Sequence, residues 1–116
     1  MPAIGLGIGA VFVPVSDIEL AKAWYARLLQ VEPPETTHGH LAVFPRSGGA
    51  RLVLDAQIFM PGKRRDAPLF HFDTEDVAAA TSHAQALGVE IVTPVQSEQW
   101  FTILDPDGNV LMICRC

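Results

Sequence analysis

The sequence predicts an α+β fold: two βαβββ units in tandem, about residues 1–57 and 66–116, forming a single domain. Three observations carry that prediction. Shifting the chain by 59 residues lays Asp17 on Asp76, Ala21 on Ala80, Leu28 on Leu87, Gly49 on Gly108 and Leu52 on Leu111. A repeat of this length marks a duplicated supersecondary unit. Each copy pairs a strand-forming run with a helical apolar stripe: Ile18, Ala21, Tyr25 and Leu28, then Val77, Ala80, Ala84 and Leu87. Finally, WFTIL and VLMIC flank DPDGN, a hairpin with Pro at the second turn position and Gly where a left-handed residue is favoured.

In chain order, residues 3–15 are apolar but shorter than the roughly 20 residues a bilayer needs. No Lys or Arg precedes them, which argues against a secretory signal. GLGIGA (5–10) has the glycines of a dinucleotide loop. That loop must follow a strand and open a helix, and here the β-branched run VFVPV follows instead, so the match is rejected. Ala10 to Val15 reads as a strand with Pro14 at an end or edge. Ser16 reads as a helix N-cap with Glu19 completing a capping box. Pro33-Pro34 mark the next loop, and residues 40–44 and 51–56 read as strands joined by PRSGG. FHFDTED (70–76) takes the place of VFVPVSD (11–17), and Gly88 stops the second helix. Residues 90–93 and a counterpart near Val31 each add a short strand.

A chain of 116 residues is long enough to withdraw roughly 65% of its surface from water. Eight Lys and Arg against thirteen Asp and Glu give a net charge of −5, which excludes a phosphate-backbone binder. The one basic cluster, Lys63-Arg64-Arg65, reads as a solvated loop. Cys114 and Cys116 stand two apart on an expected strand, a poor geometry for a disulfide, and two thiols are too few for a metal. Both are therefore expected to be reduced and structural in a cytoplasmic protein, with no membrane span.

VPVSDIELAKAWYARLL, with its S-D cap and its aromatic pair Trp24-Tyr25, resembles the opening of vicinal oxygen chelate proteins. LGVEIV and FTILDPDGNVLMI resemble their second unit. The superfamily contains glyoxalase I, extradiol dioxygenases, fosfomycin-modifying enzymes and bleomycin-resistance proteins. The resemblance implies a curved, incompletely closed sheet around a cavity, often completed by a second chain in a homodimer. It also implies metal ligands at four strand positions, two lying seven residues before each helix-cap Asp and two on the last strand of each unit. Here those positions are Ala10, Leu69, Val53 and Met112. Hard divalent ions need oxygen or imidazole donors, which none of the four offers.

The function expected is a small-molecule binder that needs no cofactor and no metal and has no catalytic residues. It would hold an organic ligand, cationic or aromatic, in a mostly apolar cavity, and its partners include neither nucleic acid nor membrane. Strand parity nominates Phe12, Arg51, Asp55 and His71 as ligand-binding residues, with the four vacated metal positions as cavity wall. Trp100 would stack on a planar ligand; a core or dimer-interface role is its alternative. Cys114 shares the Asp55 parity, and nothing in the sequence shows that these groups meet. His38, His40 and His83 read as surface residues, and no face is assigned to His40, Ala42 or Phe44 because a bulge at PRSGG would reverse them. The rival function is a metal-dependent lyase or dioxygenase with relocated ligands around His71, drawing on His40 and Asp55.

Overall fold

A computed structural model describes residues 2–45, 48–63 and 66–116. Arg64 and Arg65 of the basic cluster and Arg46 and Ser47 of PRSGG lie outside those residues. The first unit runs β1 (Ala10–Pro14), α1 (Ile18–Leu29), β2 (Thr36–Thr37), β3 (Leu41–Phe44) and β4 (Arg51–Asp55). The second runs β5 (His71–Asp73), α2 (Val77–Ala86), β6 (Ile91–Gln96), β7 (Trp100–Leu104) and β8 (Val110–Cys114). Two open four-stranded mixed sheets result, ordered β1-β4-β3-β2 and β5-β8-β7-β6.

The repeat survives to the level of register. In the first sheet Phe12 lies opposite Val53, and Val53 opposite Val43. In the second, His71 lies opposite Met112, and Met112 opposite Thr102. Each residue of the second row is the first row's residue plus 59.

Both helices start on an aspartate whose carboxylate accepts an N–H otherwise left unpaired at a helix start. Asp17 accepts from Leu20 at 3.1 Å, and Asp76 from Ala79 at 3.0 Å. The expected Ser16–Glu19 capping box is thereby corrected: the cap is one residue later. Glu19 instead turns to the Lys22 ammonium, 3.1 Å away, and to the Thr36 hydroxyl of β2. Those two contacts, the Thr36 hydrogen bond foremost, hold the Glu19 carboxyl below its ordinary value. The first unit's extra strand is also displaced, pairing at Thr36–Thr37 rather than near Val31. Both helices end on left-handed backbone, at Gln30 (φ 57°) and Gly88 (φ 73°). The next residue in each case donates its N–H back into the helix, Val31 to Ala26 and Val89 to Ala84.

The helices cover one face of their sheets. Val13, Ala42, Phe44, Leu52 and Leu54 of the first unit share a single core with Phe101, Ile103, Leu111 and Ile113 of the second, beneath Tyr25, Leu28, Val77 and Ala84. Ala42 and Phe44 thus face the helices. Pairing from Leu41–Asp55 to Phe44–Leu52 is continuous, with no bulge to reverse the parity.

The DPDGN turn interlocks the units. Asp105, 5% exposed, accepts from the N–H groups of Asp107 (3.0 Å) and Asn109 (2.8 Å), the Asn109 side-chain amide (2.8 Å) and the hydroxyl of Tyr25 in α1 (2.7 Å). Asn109 also donates to the Pro14 carbonyl at 3.0 Å, and the Ser16 N–H donates to Asp107 at 3.0 Å. Gly108, at φ 83°, supplies the expected left-handed residue, and its N–H closes the turn onto the Asp105 carbonyl. Among the described residues, no helix is long and apolar enough to cross a membrane.

Candidate functional site

The candidate site is the face of each sheet turned away from its helix. Alternation along β1 and β4 sends Val11, Val13, Leu52 and Leu54 to the core and leaves Ala10, Phe12, Arg51, Val53 and Asp55 on the other face. In the second sheet Phe72, Leu111, Ile113, Phe101 and Ile103 take the core side. His71, Asp73, Met112, Cys114, Trp100 and Thr102 take the other.

The first sheet offers a mainly apolar strip. Phe12, 48% exposed, lies beside Val53, which pairs on its other side with Val43, and the exposed Arg51 stands at one end. At the other end Asp55 is already engaged. It accepts from the Gln57 N–H at 2.9 Å and holds His40 Nδ1 at 2.9 Å. His40 is therefore no isolated surface residue: the buried carboxylate orients its ring. His83 likewise holds the Leu28 carbonyl through Nε2 at 2.9 Å rather than standing free on the surface.

The second sheet is more polar. His71 lies beside Met112 and Asp73 beside Cys114, and across β8 Met112 pairs with Thr102 and Cys114 with Trp100. His71 Nδ1 stands 3.4 Å from an Asp73 carboxylate oxygen. The trio of the rival reading, His71, His40 and Asp55, does not assemble as a metal cluster among the described residues; His71 gathers with Cys114 and Cys116 instead. Leu69, expected on the strand, sits two residues ahead of β5 and is 73% exposed.

Cys114 and Cys116 are joined as a disulfide, which corrects the expectation of two reduced thiols. The reason is that β8 ends at Cys114. The chain leaves its extended course, and the two Cα atoms stand 5.4 Å apart, inside the usual disulfide range rather than at the ~6.6 Å of a continuing strand.

Thr102 and Asp73 escaped the reading from sequence, although alternation from Trp100 and from His71 would have found both. Val43 and Leu41 escaped because the parity of β3 was left open. Phe12, Arg51 and His71 are exposed on these faces in one chain. A cleft of about 470 Å³ opens elsewhere, between the end of α1 and α2, lined by Leu28, Phe72, Ala80 and His83.

The profile of the Glyoxalase/Bleomycin resistance protein/Dioxygenase superfamily matches residues 7–113. The chain belongs to this superfamily. Among solved structures it is similar to TnmS3, an antibiotic binding protein from Streptomyces sp. CB03234, with 26% identity, 98% of each chain covered and a TM-score of 0.72. It is also similar to a glyoxalase/bleomycin resistance protein from the same Streptomyces, at 28% identity over 91% of this chain and 98% of that one, with a TM-score of 0.66. The fosfomycin resistance protein FosX from Listeria monocytogenes, complexed with Mn(II), shares the fold at 19% identity, covering 97% of this chain and 91% of that one with a TM-score of 0.73. No curated protein matches the chain.

Superfamily enzymes imply a divalent metal, and this chain's residues do not fit one at the corresponding positions. Ala10 and Val53 present hydrocarbon, Leu69 stands off the strand, and Met112 offers only a thioether. A hard ion gains too little there to offset its lost hydration.

Proposed function

We propose that this protein binds a small organic molecule against the helix-free faces of its sheets, holding it for sequestration or sensing without metal-assisted turnover. The observation that carries this reading is the pair of matched rows Phe12–Val53–Val43 and His71–Met112–Thr102. The centre of each row, where superfamily enzymes place a ligand to metal, is an apolar side chain. Apolar wall with a few polar groups suits an organic ligand. Phe12 and Trp100 supply aromatic faces for a planar or cationic molecule, with Arg51 and the His40–Asp55 pair as the polar margin. The antibiotic-binding activity of TnmS3 supports the same class of ligand. Because Phe12, Arg51 and His71 stay exposed on these faces in one chain, a second copy covers the site, and the working unit is a homodimer.

The test is a thermal-shift screen with hydrophobic cationic and neutral aromatic compounds, followed by calorimetry. A ligand at 100 times its Kd stabilises by about 2.7 kcal/mol. Trp100→Ala and Phe12→Ala each weaken a hit while leaving the free protein's melting cooperative. Absence of any stabilising compound, or purified protein carrying stoichiometric manganese or iron, overturns the reading.

A further inference from the structure

We propose that His71, Cys114 and Cys116 form a redox-gated site for zinc, separate from the four positions that superfamily enzymes use. The imidazole nitrogen and the two sulfurs all lie within 4.8 Å of one another. Around a tetrahedral zinc, with bonds of about 2.3 Å to sulfur and 2.0 Å to nitrogen, neighbouring donors are roughly 3.5–3.8 Å apart. Once the disulfide is reduced, parting the two sulfurs by about 1.7 Å from bond length and bringing the imidazole in by about 1 Å completes the shell.

The fold supplies this arrangement from two directions. Parallel pairing of β5 with β8 puts His71 and Cys114 on the same face of adjacent strands. The departure of the chain from β8 after Cys114 brings Cys116 back toward them. Asp73 stands 3.4 Å from His71 Nδ1, and a carboxylate there is the usual partner behind a histidine that gives its other nitrogen to a metal. His71 and Cys116 are exposed, so an ion has a path in. Three protein donors leave a fourth position for water or an incoming ligand. Two thiolates select a borderline-soft ion over the hard cations that the rest of the face rejects.

The disulfide is the gate, because a sulfur bonded to another sulfur is not a thiolate donor. Two equivalents of a monothiol, RSH, convert the Cys114–Cys116 disulfide to two thiols and yield one RSSR, a transfer of two electrons and two protons. Zinc then replaces the two thiol protons, which leave as H⁺, so uptake strengthens as pH rises. In the reverse exchange RSSR is the oxidant: it takes two electrons from the two thiolates and, with two protons, leaves as two RSH while the disulfide re-forms and Zn²⁺ is released.

The experiment uses the whole chain reduced with a phosphine, titrated anaerobically with Co(II) as the spectroscopic probe and then with Zn(II). The expected result is one Co(II) per chain with thiolate-to-cobalt charge-transfer absorption, displaced by one equivalent of zinc, and no uptake by the disulfide form. His71→Ala binds zinc at least about tenfold more weakly, and Cys116→Ser loses most of the charge-transfer band. Both positions are exposed, and unchanged melting of the metal-free variants shows that they fold. The proposal is overturned if the reduced protein shows no charge-transfer band, if either variant binds like wild type, or if the disulfide form binds equally well.

Discussion

Tyr25→Phe removes one hydroxyl from the interlock between the units and nothing else. The ring is fully buried, and phenylalanine refills its space, so no cavity forms. What is lost is the 2.7 Å bond to Asp105 Oδ2, an oxygen that then keeps the Asn109 amide alone of the partners described above. A hydrogen bond to a charged group contributes about 1.5–3 kcal/mol. Three other donors still hold Asp105, which places the expected loss near the lower half of that range, about 2 kcal/mol. For a domain of this size that corresponds to a melting temperature roughly 8–10 °C lower. Calorimetry or far-ultraviolet dichroism on Tyr25→Phe, Asp105→Asn and the double variant measures it. The double variant should lose less than the sum of the single losses by more than about 0.5 kcal/mol, because the two side chains share one bond. A Tyr25→Phe protein melting within about 2 °C of wild type, or strictly additive losses, would refute the reasoning and leave apolar packing alone as the link.

The two helix ends give an opposed pair of expectations. Gly88→Ala costs about 1 kcal/mol through its left-handed backbone alone, since an added Cβ meets nothing within 4 Å, whereas Gln30→Gly raises stability by about 0.5 kcal/mol, both read from urea midpoints. Glu19, held below its ordinary 4.5 by Thr36 and Lys22, favours the folded state above that pH, and its contribution disappears as pH falls through the lowered folded value. Melting of wild type and Glu19→Gln should therefore differ at pH 7, more in low salt than in high, and converge once the pH has fallen below that lowered folded value.

The architecture was legible because the repeat is carried by residues that packing constrains. The 59-residue offset found from Asp17, Leu28 and Leu52 reappears as strand register. The alternation of VLMIC and RLVLD likewise sorted core from open face correctly. Features that depend on one or two residues were harder to read. Asp17 and Ser16 are both good caps, and only the backbone course decides between them. The strand at Thr36–Thr37 is two residues long, too short for any periodicity. The Cys114–Cys116 bond required knowing where β8 stops. The meeting of His40 with Asp55 depends on an unbulged β3–β4 pairing that PRSGG left ambiguous.

The interlock at DPDGN also dictates an order of assembly. Its bonds join residues 80, 91 and 95 positions apart in the chain. On a ribosome delivering roughly 5–20 residues per second, the first half of the chain waits several seconds before Asp105 and Asn109 are synthesised. Throughout that interval Asp105 is not there to accept from the Tyr25 hydroxyl, nor the Asn109 amide to donate to the Pro14 carbonyl. Docking thus waits for the β7–β8 hairpin, and a nascent first half exposes the apolar surface that Phe101, Ile103 and Leu111 later cover. That interval, with one unit made and the other not, is when apolar surface is most open to other molecules.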